Sequence, residues 1–140
     1  MEKEKADLVV SIHQNSFQDS SVYGPQCFYY ANSKEGQQAA AILEGEHDFR
    51  SFCGNPRMKK STVRVVDIIE ITKKSGYIRF RVHGTGFLQN MVRIIVGTLL
   101  EVGYGRMKPE DMGTILEAKD RKAAGPTAPP EGLMLMKVDY

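Results

Sequence analysis

The sequence predicts an α+β domain, in which an antiparallel β-sheet carries helices packed on one face. Two β-branched runs joined by a short turn occupy residues 62–84, an apolar stretch of helical length follows, and a strand-like segment ends the sequence. Strands and helices therefore do not alternate as they do in a parallel βαβ array. A length of 140 residues is the usual size of one domain, so we expect residues 1–140 to form a single domain.

The first elements are two predicted strands and a helix. Leu8–Ile12 is predicted as a strand, and the segment QCFYYA as another. The segment SKEGQQAAAILEGEHDF predicts a helix that is capped by Ser33 and ended by Gly45. Its apolar residues expected to face inward are Ala40, Leu43 and Phe49. The next segment, RSFCGNPRMKKST, contains Gly-Asn-Pro and basic residues, which predict an exposed loop.

The hairpin is predicted from TVRVVDIIEITKKSGYIRFRVHG, and its second strand alternates cleanly. One face of that strand is expected to be core and to carry Ile78, Phe80 and Val82. The other face is expected to be basic and to carry Tyr77, Arg79, Arg81 and His83. In the first strand, two adjacent apolar pairs shift the alternation around Asp67, which indicates a bulge or burial on both sides.

The segment Phe87–Val102 is predicted to be an apolar helix with one charged residue, Arg93, in its middle. A guanidinium cannot lose its proton, so it needs a polar partner. Glu101 lies about 12 Å away along the helix axis, and Asn90 can accept only a neutral hydrogen bond. We therefore expect the partner of Arg93 to be a carboxylate or phosphate from outside this helix. Gly97 marks a position where another group is expected to approach closely.

The last elements are a helix, a loop and a strand. KPEDMGTILEAKD predicts a helix with Pro109 in its first turn, and RKAAGPTAPPEG predicts a loop. Strict alternation in the final strand assigns one face to Met134, Met136, Val138 and Tyr140. The same alternation leaves Leu133 and Leu135 on the other face, away from the predicted core.

Charge is unevenly distributed along the sequence. Residues 49–100 carry ten Lys and Arg against two Asp and Glu, whereas residues 1–48 carry three against eight. The basic segment suggests a polyanionic partner, although such segments are often only solvated surface. No apolar run reaches the ~18 residues of a membrane span, and no signal peptide is recognised, so we expect a cytoplasmic protein. The cysteines and histidines lack the spacing of a metal or redox site.

Three segments, in order and spacing, resemble the C-terminal half of tRNA pseudouridine synthases of the TruA type. These segments are GEHDFRSFC, GTGFLQNMVRIIVGTLLEVGYGRM and LEAKDRKAAGPTAPPEGLMLMKVDY. The resemblance is strong from Glu44 to Tyr140, fair from Val22 to Leu43, and poor over residues 1–21. It implies an enzyme that isomerises uridine to pseudouridine in the anticodon arm of tRNA, without metal or organic cofactor and as a homodimer.

The resemblance also implies roles for particular residues. Arg93 falls on the arginine that pairs with the catalytic aspartate and keeps it ionised, and Leu133 falls on the leucine that packs against the target base. The RNA backbone would be held by a basic face, comprising Arg50, Arg57, Lys59, Lys60, Arg79 and Arg81. The Gly-Arg-Thr-Asp motif of the nucleophile is absent from this sequence, as is the tyrosine that stacks on the base. We therefore expect a domain that is inactive alone; a standalone RNA-binding module and a dimerisation unit are the alternatives.

Overall fold

The computed structural model describes residues 5–13, 33–74, 77–130 and 133–139. Within these residues, three helices cover one face of a five-stranded antiparallel sheet, which confirms the predicted α+β class. The strands are β1 (Lys5–His13), β2 (Gly45–Asp48), β3 (Val63–Lys74), β4 (Tyr77–Gly84) and β5 (Leu133–Asp139). The helices are α1 (Lys34–Leu43), α2 (Met91–Tyr104) and α3 (Asp111–Ala118). Two single turns of 3-10 helix lie at Arg50–Phe52 and Arg121–Ala123.

The strands follow the spatial order β2-β3-β4-β1-β5. The β3–β4 hairpin is therefore continued by the first strand of the chain and then by the last. In β4, half-buried and buried residues alternate as predicted, with Ile78, Phe80 and Val82 fully buried. The register of the hairpin shifts between Val66 and Ile68, which confirms the predicted bulge.

The core lies between the sheet and the helices, where the largest fully buried side chains include Phe49, Phe52 and Phe80. Each such side chain contributes about 1.5–3 kcal/mol by leaving water. Almost all of α2 is buried, consistent with the apolar pattern that predicts it. This helix is the central support for the groups described below.

Helix α1 begins and ends close to the predicted positions. The Ser33 hydroxyl accepts a hydrogen bond from the Gly36 amide at 3.3 Å, which confirms the cap. The helix stops at Leu43 because Gly45 has a φ of +107° and turns the chain into β2. This confirms the predicted end at Gly45, and the Phe49 side chain, which lies beyond the helix, is buried as expected.

Helix α2 begins at Met91, so the predicted start at Phe87 is wrong. Asn90 has a left-handed φ of +58°, which places residues 87–90 in a loop and turn. At the other end, Gly105 has a φ of +87° and the Arg106 amide donates to the Glu101 carbonyl at 3.0 Å. This arrangement is a Schellman motif, which ends the helix at Tyr104, two residues beyond the predicted end at Val102.

The start of the last helix and the pairing of the last described strand differ from simple expectation. Helix α3 starts at Asp111, so Pro109 precedes the helix instead of lying in its first turn. In β5 the pairing with β1 shifts between Asp7 and Leu8. Met134 lies opposite Val9 and Val138 opposite Ala6, so the backbone pairing is irregular along β5. The side-chain faces predicted for this strand stay predictions. The QCFYYA strand and Tyr140 lie outside the described residues.

Candidate functional site around Arg93

Arg93 is half-buried in the first turn of α2, and two neutral oxygen atoms hold its guanidinium. Its Nε donates to the Ala128 carbonyl at 2.8 Å, and its Nη1 donates to Asn90 Oδ1 at 3.2 Å. Glu101 pairs instead with Arg106, at 3.2 Å. Among the described residues no carboxylate pairs with Arg93, as its position in the sequence predicts. The guanidinium is thus held in place while its charge is not neutralised.

The turn before α2 explains why Asn90 reaches this arginine. The Met91 amide donates to the Leu88 carbonyl at 3.0 Å, closing a turn with Asn90 in the left-handed region. Asparagine tolerates that conformation better than most residues. Asn90 thereby immediately precedes the helix, and its side-chain oxygen lies one turn before Arg93. The local sequence therefore fixes one of the two supports of the guanidinium.

The other support comes from residues 125–128, which we call the strap because they lie across α2. The Ala128 amide donates to the Arg93 carbonyl at 3.0 Å, and the Gly125 amide donates to Thr98 Oγ1 at 2.9 Å. A Cβ at Gly97 would lie only 1.7 Å from the Pro126 carbonyl oxygen, so the strap can approach only a glycine there. This confirms that Gly97 marks a close approach.

A cavity of about 130 Å³ opens beside the arginine. Its walls are mainly apolar, with Arg93 and Asn90 as the polar residues, and its other lining residues are Leu8, Phe87, Leu88, Met91 and Val92. Pockets for whole small-molecule ligands usually measure about 300–1,000 Å³. The size therefore suits one side chain or one ring, placed between an apolar wall and a fixed cation.

The basic loop, residues 50–62 before β3, lies close to the turn that precedes the start of α2 at Met91. The Gly54 amide donates to the Gln89 carbonyl at 2.8 Å. Arg57, Lys59 and Lys60 are exposed, whereas Arg50 is half-buried and donates to the Pro56 carbonyl at 3.2 Å. Gly54 of this loop therefore lies against the turn that precedes Arg93.

Arg79 and Arg81 lie elsewhere, on the sheet face opposite the helices. Arg81 Nε is 3.0 Å from both oxygens of Asp7, and its Nη1 is 3.2 Å from Glu70 Oε1. The hydrogen bond to Asp7 raises the pKa of Arg81 above its usual value. His83 Nδ1 lies 2.9 Å from Asp67 Oδ2. The sheet face that carries the predicted basic residues of β4 therefore also carries carboxylates.

Leu133 lies opposite Val10 in the pairing of β5 with β1, and Leu135 lies opposite Leu8. Val10 is fully buried on the core face, and Leu8 lines the cavity. The register therefore pairs the backbone of Leu133 with that of a buried residue, and the face on which the Leu133 side chain lies stays a prediction. Contact of Leu133 with a target base stays a prediction, as do the roles of Arg93 and the basic residues.

The described residues offer no cluster of three or more His, Cys, Asp or Glu side chains that could hold a metal ion. His47 Nε2 lies 2.8 Å from the Glu44 carbonyl, which is a local structural contact. In the same described part of the chain, no helix is both long and apolar enough to cross a membrane.

The fold and the site define an α+β domain with an anchored but unneutralised arginine beside a small apolar cavity. The family model for tRNA pseudouridine synthase matches residues 39–140. The chain is 50% identical over 103 residues to tRNA pseudouridine synthase A of Geobacillus kaustophilus, covering 74% of this chain and 40% of that protein. It is 46% identical over 112 residues to the enzyme of that name from Thermoanaerobacter sp. strain X514, covering 80% and 46%.

The corresponding protein of Bacillus subtilis is 45% identical over 112 residues, covering 80% of this chain and 45% of that protein. The chain therefore belongs to the tRNA pseudouridine synthase family, and the TruA-type resemblance is confirmed. It spans less than half the length of these curated relatives.

Sequence reasoning identified Arg93 but missed its main support. The partner of Nε is a backbone carbonyl 35 residues away, and a carbonyl leaves no side-chain signal in a sequence. The helix glycine Gly97, followed later by AAGPTAP, was the available clue that a backbone segment would lie on α2. The cavity wall formed by Leu8 and Phe87 was also missed, since both read as ordinary core residues.

Proposed function

We propose that this chain is the C-terminal part of a tRNA pseudouridine synthase, which acts on uridines in the anticodon arm as a homodimer. In this proposal Arg93 pairs with a catalytic aspartate that lies in another part of the enzyme, and Leu133 packs against the target base. The carrying observation is the Arg93 guanidinium, which two neutral oxygens orient and no carboxylate of the described residues neutralises.

The physical role of Arg93 follows from that arrangement. A nearby cation stabilises the ionised form of a carboxylic acid, and charge-assisted hydrogen bonds are stronger than neutral ones. Because the Nε and Nη1 donors are already occupied, the guanidinium is held in one orientation before an anion arrives. The apolar wall of the cavity lowers the local dielectric constant, which strengthens the pairing. An aspartate placed there would stay ionised and ready to act as a nucleophile.

The test is to complement this chain with the part of the Geobacillus kaustophilus relative that it does not match. Turnover would be measured as tritium release from tRNA labelled at C5 of uridine, since that hydrogen leaves when the base is rejoined through C5. We expect activity from the pair and none from this chain alone. Arg93→Met should lower turnover by on the order of a hundredfold or more, with a smaller effect on tRNA affinity.

The matched control is Arg106→Met, because Arg106 lies at the far end of α2 and pairs with Glu101. This variant should keep most of the turnover. Equal loss of turnover and tRNA affinity in Arg93→Met would contradict the proposed role. Full activity of Arg93→Met would contradict it as well.

We also propose that the basic loop contacts the tRNA backbone, which the exposure of Arg57, Lys59 and Lys60 supports. Each phosphate contact that is removed should lower the slope of log affinity against log salt by about one. The magnitude of this slope should therefore fall by about three when Arg57, Lys59 and Lys60 are all replaced with alanine. The control changes three exposed lysines outside the loop, namely Lys34, Lys73 and Lys108. Equal slopes for the two triple variants would refute the loop contact.

RNA binding without catalysis is the second candidate function, and the exposed loop cations favour it. It is distinguished by the complementation experiment. If tRNA binds with a steep salt dependence but no complementing segment restores tritium release, this alternative replaces the first.

A further inference from the structure

A second arginine, Arg121, contacts the strap through both of its terminal nitrogens. Its Nη1 donates to the Gly125 carbonyl at 2.8 Å, and its Nη2 donates to Thr127 Oγ1 at 3.1 Å. Both acceptors belong to the strap, and neither carries a charge. The two terminal nitrogens of one guanidinium thus connect two points of the segment that ends at Ala128.

The environment of Arg121 differs from that of an ordinary surface arginine. It is half-buried, and burial lowers the pKa of its guanidinium. No carboxylate among the described residues pairs with it. Partial burial of a cation costs free energy, which hydrogen bonds to the cation offset. For Arg121 both hydrogen bonds shown run to neutral oxygens of the strap, so the offset holds only while the strap keeps its shape.

The strap connects this arginine to the site. Gly125 is bonded to Thr98 through its amide and to Arg121 through its carbonyl, so both sides of its backbone are fixed. Three residues later, Ala128 exchanges two bonds with Arg93: its amide donates to the Arg93 carbonyl, and its carbonyl accepts from Arg93 Nε. The position of the Ala128 carbonyl therefore depends on the shape of residues 125–128.

We propose that Arg121 is a positioning residue for Arg93, acting through the strap. It holds Gly125 and Thr127 so that the Ala128 carbonyl stays aligned with Arg93 Nε and the guanidinium keeps one orientation. The importance of that orientation for catalysis rests on the proposed function. The geometric claim itself can be tested on this chain without RNA.

The experiment measures hydrogen exchange of the Arg93 Nε–H by NMR in the 140-residue chain, with the signal assigned through its absence in Arg93→Met. Arg121→Lys keeps the charge but lacks the planar fork that spans two acceptors. Exchange at Arg93 should become about tenfold faster, the ratio that corresponds to roughly one net hydrogen bond. The Leu99 and Leu100 amides in the core of α2 should be unaffected. The control, Lys122→Ala, removes the exposed neighbouring cation. It should change neither the exchange rate of the Arg93 Nε–H nor that of the Leu99 and Leu100 amides.

A second pair of variants serves if Arg121→Lys folds poorly. Thr127→Val removes the hydroxyl that accepts from Arg121 and should also accelerate exchange, whereas Thr127→Ser retains the hydroxyl and should restore the slow rate. Unchanged exchange at Arg93 in both Arg121→Lys and Thr127→Val would overturn the proposal. So would equal acceleration at Arg93, Leu99 and Leu100, because that would show general destabilisation.

The outcome is independent of catalysis. If complementation fails to restore turnover while Arg121→Lys still releases the Arg93 Nε–H, the proposed function fails and the positioning role stands. If complementation succeeds, Arg121→Lys should lower kcat with little change in KM, because substrate contacts remain in place. Slow exchange at Arg93 in an Arg121→Lys enzyme would overturn the positioning role and leave the proposed function intact.

Discussion

Replacing Gly97 with alanine puts a methyl group where the strap already lies. The new Cβ would be 1.7 Å from the Pro126 carbonyl oxygen, and ordinary contact begins at 3.4 Å, so one of the two must move by about 1.7 Å. A shift of that size breaks the hydrogen bonds that join the strap to α2, since such bonds weaken sharply beyond about 3.2 Å. These bonds involve Arg93, Thr98, Gly125 and Ala128.

The magnitude follows from opposing terms. Alanine is better than glycine inside a helix by about 1 kcal/mol. Three lost hydrogen bonds cost about 1 kcal/mol each, and residual overpacking adds about 1 kcal/mol or more. The free energy of unfolding of Gly97→Ala should therefore fall by about 2–4 kcal/mol, and the alignment of Arg93 should be lost with it.

The assay is urea denaturation of the chain, followed by circular dichroism at equal protein concentration. The matched control is Gly113→Ala, because Gly113 lies inside α3 and a Cβ there meets nothing within 4 Å. That variant should gain up to about 1 kcal/mol from helix propensity alone. If Gly97→Ala is stabilised as much as Gly113→Ala, the strap does not need the glycine and the reasoning is refuted.

Substitutions at three further positions test other contacts by the same unfolding assay. Thr98→Val leaves the buried Gly125 amide without its acceptor and should cost about 1–3 kcal/mol; a neutral result would contradict this bond. Ser51→Ala removes a hydroxyl that bonds Ile115 and Asp120, and a similar loss is expected, with no change counting against that connection. Ser33→Ala should cost about 1 kcal/mol, and Ser33→Gly only a few tenths; equal effects would argue against capping.

Periodicity was enough to predict the sheet and the helices. Alternation identified the buried face of β4, and the spacing of Arg93 from Glu101 showed that the arginine has no carboxylate within its own helix. Helix boundaries were predicted less well because they depend on single backbone conformations. The left-handed φ of Asn90, which precedes the start of α2, is favoured by the residue type but not required by it.

Contacts between distant segments could not be read from the sequence. The carboxylates of the open sheet face could not be predicted, because alternation assigns Arg81 to a face but does not show which acidic residues share it. Pairing of β1 with β4 brings Asp7 to Arg81, and pairing of β3 with β4 brings Glu70. Likewise the bulge in β5 depends on its pairing with β1, which no residue of β5 reveals.

The position of β1 between β4 and β5 has a consequence for the formation of the sheet. Strand β1 pairs on one side with β4 and on the other with β5, which comes last in sequence among the described strands. Until β5 pairs, one edge of β1 presents unpaired amides and carbonyls to solvent or to other chains. Loss of residues 133–139 would therefore leave β1 as an open edge prone to aggregation. Leu8 of that strand also lines the cavity beside Arg93, so completion of the sheet and formation of the site depend on the same strand.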